Sequence, residues 1–122
     1  MLGVLLEVMR TLAPTRPWPG LTLKFVFFDG EECLVSYGPR DGLHGSRSLA
    51  KDIEKAGAVK RYRAMILLDM IGDRDLIIKR ETTSTSWLTD AIWATAKTLG
   101  FDKTFVTEPF TVEDDHIPFL DA

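Results

Sequence analysis

Apolar positions along this chain fall into blocks whose period changes from one block to the next. Residues 1–13 (MLGVLLEVMRTLA) are apolar on nearly every helical face, which predicts a helix covered on several sides. Pro14, Pro17, Pro19 and Gly20 break the chain after it. From Leu21 to Phe28 (LTLKFVFF), Leu21, Leu23, Phe25 and Phe27 share one face, while Val26 and Phe28 fall on the other. Both faces are apolar, the pattern of a central strand covered on both sides, and Asp29-Gly30 ends it in a turn.

A loop from Glu31 to about Leu43 leads to a helix from about Ser46 to Lys55, closed by Gly57. Ala64 to Ile71 (AMILLDMI) reads as a second buried strand. After the polar turn Asp73-Arg74-Asp75, Leu76 to Lys79 continues as its hairpin partner. Ser84 or Ser86 can cap a long helix to Leu99, with Trp87, Leu88, Ala91, Ile92, Thr95 and Leu99 on one stripe and Gly100 at its end. Phe105-Val106 reads as a short strand, and Thr111 to Ala122 as a polar loop entering a helix near Pro118. This order predicts an α/β fold with a mostly parallel or mixed sheet and helices on both faces, whose chemistry falls at the carboxyl ends of the strands.

Length and charge narrow the partners. A chain of 122 residues suits one domain with its own core. Net charge is −3, and Lys60-Arg61-Tyr62-Arg63 reads as a solvated strand entrance, so no nucleic-acid partner is expected. Cys33 is the only cysteine, which rules out an internal disulfide and a thiolate metal cage. The apolar N-terminal run carries Glu7, lacks a basic flank and is short of a membrane span, so neither a targeting segment nor a membrane partner is expected.

Four constellations stand out. In Phe27-Phe28-Asp29-Gly30-Glu31-Glu32, two adjacent carboxylates leave a buried strand. Neighbouring strand residues point to opposite faces, but a turn at Gly30 lifts that restriction. One Glu could then bind a metal at about 2.0–2.2 Å while the other moves protons. From the dipeptide alone, the start of a solvent loop is the better reading.

Asp69 sits within the otherwise apolar or small run MILLDMIG, where a carboxylate is costly unless paired, hydrogen-bonded or metal-bound. In Glu113-Asp114-Asp115-His116-Ile117-Pro118, clustered carboxylates repel and raise at least one pKa, as acid–base sites require. Asp114 or Asp115 could instead cap the helix that Pro118 helps start. His116, alone in an acidic loop, reads better as a hydrogen-bonding residue than as a metal ligand. Asp41-Gly42-Leu43-His44-Gly45-Ser46 reads as a tight loop-to-helix junction.

Together these segments resemble the glutaminyl cyclases, which share their fold with the zinc aminopeptidases. The likeness runs from Leu23 to about Leu120 and is carried by FFDGEE, SYGPRDGLHGSRSLA, LLDMIG and DDHIPFL in the family's order. It implies a three-layer αβα zinc-exopeptidase (phosphorylase/hydrolase-like) fold, with residues 1–122 as one partial catalytic domain. It makes Glu32 a zinc ligand and Glu31 the proton-shuttling base, and it places Asp69 and Asp114 in the acidic catalytic network around the substrate. In the di-zinc aminopeptidases the residue like Asp69 is a ligand of the second metal. Tyr37 stands where the cyclases usually have a tryptophan beside the substrate, and His116 matches a motif residue on the substrate side that is not the family's zinc-binding His. Two of the family's three zinc ligands have no counterpart in the sequence, so the chain is expected to be cut at both ends.

Two activities follow from the resemblance. A cyclase converts N-terminal glutamine to pyroglutamate with one zinc; an aminopeptidase hydrolyses an N-terminal peptide bond, here with two. The substrate is a peptide or a small amino-acid amide in either case, and the resemblance suggests an exported or periplasmic protein. Aminopeptidases usually run Glu-Glu-x-Gly-Leu-x-Gly-Ser without a break, whereas Cys33 to Asp41 intervene here, which is cyclase-like. An inactive remnant or a binding module is the reading from a different class.

Overall fold

A computed structural model describes residues 2–15, 18–38 and 40–122. Met1 of the expected first helix, Pro17 of the proline break and Pro39 of the loop after the Glu pair lie outside the described residues. The elements are α1 (Leu2–Leu12), α2 (His44–Lys55), β1 (Ile78–Glu81), α3 (Ser86–Thr98), β2 (Phe105–Phe110) and α4 (Ile117–Leu120), with short 3-10 turns at Ala13–Thr15 and Val59–Arg61.

α1 forms where expected and ends at the prolines, and Glu7 and Arg10 pair on its surface. Its covering does not follow the expectation: no residue of α1 is buried, and Leu2, Val4, Leu6, Val8 and Met9 are exposed. An all-round apolar helix is buried only where neighbours close on several sides. Among the described residues, α1 packs chiefly on its own following turn.

The sheet differs more. Neither Leu21–Phe28 nor Ala64–Ile71 is a strand; both lie outside the assigned helices and strands. Side-chain alternation reports which faces are apolar, while a strand also needs a neighbour whose N–H and C=O groups match its own. Among the described residues the sheet is β1 and β2, paired in parallel with Ile78 opposite Phe105 and Glu81 opposite Phe110. The expected hairpin of Leu76–Lys79 with the segment before it is therefore replaced by a β1–α3–β2 unit. Parallel strands need a crossover, and α3 supplies it.

α3 packs on β2 through Trp93, whose ring meets Phe105 edge-on at 5.4 Å and whose Nε1 donates to the Val106 carbonyl at 2.9 Å. Its buried residues are Thr89 and Ala96, while Trp87 and Leu99 from the expected stripe are exposed. The apolar stripe read from the sequence is thus rotated away from the face that β2 covers. Neither Ser84 nor Ser86 caps the helix: the cap position is Thr85, without a side-chain cap bond, and Ser84 is engaged by Glu81. Arg80 reaches from β1 to pair with Asp90 and lies over the Trp93 ring.

α2 packs on α4, and Phe28 meets Phe119 at 5.9 Å between ring centroids. The α/β class and the order of helices stand as expected. The buried apolar residues are few: Leu43, Ala50 and Ala96 among those described.

Candidate active site

The Glu pair is held by the start of α2. The N–H groups of Leu43, His44 and Gly45 donate to the carbonyls of Glu31, Gly30 and Asp29, at 2.9, 2.9 and 3.0 Å. First-turn amides of a helix have no partner within the helix, so the chain that carries the two carboxylates supplies their acceptors. Gly45 permits this approach. A Cβ there would stand 2.7 Å from the Asp29 carbonyl oxygen and 2.9 Å from its nitrogen. The loop-to-helix junction expected at Asp41–Ser46 is thus confirmed, with α2 beginning at His44.

The segment between Glu32 and α2 folds over the pair. Asp41 accepts the N–H groups of Leu34 and Val35 at 2.8 Å each and of Ser36 at 3.2 Å, and these bonds hold its carboxyl below the usual range. Tyr37 follows that clamp and stays about half exposed, with its hydroxyl 3.1 Å from Glu31 Oε1 and 3.2 Å from Glu32 Oε2. A single phenolic proton serves two carboxylates. Desolvation, then the bond to Glu31 and the charges of both Glu residues, push the Tyr37 pKa up. The ring rests on Gly42, where a Cβ would meet it at 2.7 Å. Sequence reasoning placed Tyr37 near the site but missed Asp41 as its organiser. An Asp that closes a short loop on three backbone amides is the available signal.

A second acidic group forms around Asp114, which is 8% exposed. Burial pushes its carboxyl up to about 6, assisted by the charge of Asp69, a hydrogen bond shared with Asp69 and the charge of Asp115. The Asp115 N–H donates to Asp114 Oδ1 at 2.6 Å and opposes the shift. Asp115 is 5% exposed, and its Oδ1 is buried without a hydrogen-bond partner. Neither residue caps α4 through its side chain, since the cap position is His116 and carries no side-chain cap bond. Met70, next to Asp69, has φ of 48°, an uncommon conformation for a residue with a side chain.

The raised Asp114 carboxyl has a pH consequence. A carboxyl whose folded-state pKa lies above its ordinary value binds more protons folded than unfolded in the interval between. Asp114 therefore lowers stability as pH rises from 3.8 to about 6, the reverse of a salt-bridged Asp. The urea midpoint of Asp114→Asn is expected to gain on wild type across that interval. A constant difference between the two proteins would remove the shift.

His116 is engaged by Thr83, its Nε2 lying 3.0 Å from the Thr83 hydroxyl and 3.8 Å from Glu81 Oε2. This agrees with the reading of His116 as a hydrogen-bonding residue. The structure thus groups Glu31, Glu32 and Tyr37 in one place and Asp69, Asp114 and Asp115 in another. The contact of Phe28 with Phe119 brings together the segments that carry them.

Metal binding has a narrower basis. Among the described residues no group of three or more His, Cys, Asp or Glu side chains is arranged to hold a metal ion. Structural and catalytic zinc sites use at least three protein ligands. The residues described here therefore do not by themselves fit a zinc centre. No helix among the described residues is long and apolar enough to cross a membrane.

The whole chain, residues 1–122, matches Peptidase family M28. A glutaminyl-peptide cyclotransferase of Bothrops jararaca is 36% identical over 85% of this chain and 34% of its own length. One from Drosophila melanogaster is 30% identical over 96% of this chain and 38% of its own. The crystal structure of an Acidobacteriales bacterium glutaminyl cyclase superimposes with a TM-score of 0.74 at 42% identity, covering 78% of this chain and 32% of that one. The chain spans roughly a third of the length of the curated relatives it matches. It belongs to peptidase family M28, a family that implies zinc, and within it resembles the glutaminyl cyclases.

Proposed function

We propose that this chain forms part of a glutaminyl-peptide cyclotransferase, which closes an N-terminal glutamine to pyroglutamate and releases ammonia. The observation that carries the reading is the Cys33–Asp41 segment, which lays Tyr37 across both carboxylates. An uninterrupted aminopeptidase motif has no such segment. The named relatives of this chain are glutaminyl-peptide cyclotransferases, which supports the same choice.

In this reading the substrate's α-amine nitrogen bonds to the side-chain amide carbon, and the bond from that carbon to the amide nitrogen breaks. Glu31 takes a proton from the attacking amine and delivers it to the departing nitrogen, which leaves as ammonia. Tyr37 holds the Glu31 carboxylate in place and walls the substrate side. Asp69 and Asp114, sharing a proton, extend the acidic network. Glu32 is the ligand we assign to zinc, with one ion per site. The substrate is a peptide or amino-acid amide bearing N-terminal glutamine.

The products decide between this and peptide hydrolysis. With a glutaminyl peptide, the active protein is expected to release ammonia and leave an N-terminus that no longer reacts as a free amine. Release of free glutamine without ammonia would overturn the cyclase reading in favour of an aminopeptidase.

A further inference from the structure

The acidic loop that carries Asp114 is tied to the end of β1 by a chain of side chains. Glu81, the last residue of β1, accepts from the Thr83 N–H at 2.9 Å, the Ser84 N–H at 2.7 Å and the hydroxyls of Thr83 and Ser84 at 3.0 and 2.8 Å. Burial pushes its carboxyl up, but these bonds outweigh burial and hold it below the usual range. The turn after β1 is thereby wrapped around one carboxylate. The Glu81 and His116 side chains are 19% and 13% exposed, and Thr83, which joins them, stands at the surface.

Donor and acceptor roles along the chain follow from proton counting. A carboxylate only accepts, so the single Thr83 hydroxyl proton goes to Glu81 Oε2. The Thr83 oxygen must then accept from His116, which places a proton on His116 Nε2. Two residues before His116 stands Asp114, whose carbonyl accepts the Ile117 N–H at 2.9 Å. The same strand end is joined to the loop's start: the Thr82 N–H donates to the Phe110 carbonyl at 3.0 Å, and the hydroxyls of Thr82 and Thr111 lie 2.6 Å apart. Both ends of the 111–116 segment are therefore fastened to residues 81–83.

We propose that Glu81 and Thr83 are positioning residues which, through His116, fix the loop bearing Asp114 against Asp69. They touch no reacting atom. Their effect passes through the orientation of the imidazole and the backbone of the loop. The kinetic part rests on the cyclase reading, whereas the spectroscopic part stands without it.

The test compares Thr83→Val, which keeps shape and removes the hydroxyl, with Thr83→Ser, which restores it. In wild type and Thr83→Ser, ring nitrogen-15 spectra should show the His116 proton on Nε2; in Thr83→Val that preference should be lost. Loss of one hydrogen bond corresponds to roughly tenfold faster exchange of the Asp115 amide, with exchange in α3 unchanged as the control for folding. On a glutaminyl peptide, kcat should fall about tenfold in Thr83→Val with KM little altered, and recover in Thr83→Ser. Unchanged ring spectra and exchange in Thr83→Val would overturn the proposal. So would faster exchange spread equally through α3, or a freed loop with normal kcat. The kinetics are read on the longer protein of which this chain is proposed to form part; if that protein does not cyclise the peptide, the cyclase reading fails by itself, and the spectra and exchange still decide the tether.

Discussion

Replacing Glu31 with Gln is expected to lower turnover by about a hundredfold to ten-thousandfold, the usual cost of losing a general base. Gln keeps the size of the side chain and leaves an oxygen to accept the Tyr37 hydroxyl, which now lies 3.1 Å from Glu31 Oε1. The local structure should therefore survive while proton transfer is lost. Zinc content, measured by elemental analysis on the longer protein of which this chain is proposed to form part, should stay unchanged. Glu32→Gln should show the opposite order, with metal lost first and turnover falling as its consequence. Adjacent positions with separate roles predict this divergence, whereas two carboxylates that merely begin a loop predict no effect from either change. Near-normal turnover in Glu31→Gln would remove the base assignment under both the cyclase and the peptidase readings.

Gly45→Ala is expected to destabilise the protein by roughly 1–3 kcal/mol, the range for forcing added volume into a packed contact. The added methyl would meet Asp29 backbone atoms at 2.7 and 2.9 Å, and neither can move without shifting the turn that carries Glu31 and Glu32. The hydrogen bond from Gly45 N–H to the Asp29 carbonyl would be strained at the same time. Gly72→Ala is the control, since nothing lies within 4 Å of a Cβ there. Urea midpoints should separate the two variants, and Gly45→Ala should also lose turnover. Equal midpoints would mean that α2 does not press on the Glu-bearing turn as described.

Much of the site was legible because its residues break local patterns. Glu31-Glu32 after LTLKFVFF, Asp69 inside MILLDMIG and Asp114 within EDDHIP each place charge where the surrounding residues predict burial or a turn. Burial and mutual repulsion then act on such groups wherever the chain takes them, and the raised pKa of Asp114 follows that expectation. The junction before α2 was also readable, because Gly42 and Gly45 mark a close backbone approach. Asp41, Glu81 and Thr83 were not recognised. Each is an ordinary polar residue in a polar stretch, and only the folded chain shows which amides or rings it meets.

Helix positions depend on a local period and on breakers such as Pro14 and Gly100, so α1, α2 and α3 came within a few residues of their expected spans. Pairing in the sheet depends on distant partners. LTLKFVFF and AMILLDMI satisfy the side-chain pattern of buried strands, yet among the described residues the ladder forms between Ile78–Glu81 and Phe105–Phe110. The sequence by itself determined the α/β class, the order of the helices and the placement of carboxylates in or beside apolar runs, because these rest on covalent neighbours and local periodicity. Only the tertiary structure decided which strands pair, which face of α3 is covered and that Tyr37 bridges Glu31 and Glu32, because hydrogen bonds and packing across many residues leave no periodic trace in the chain.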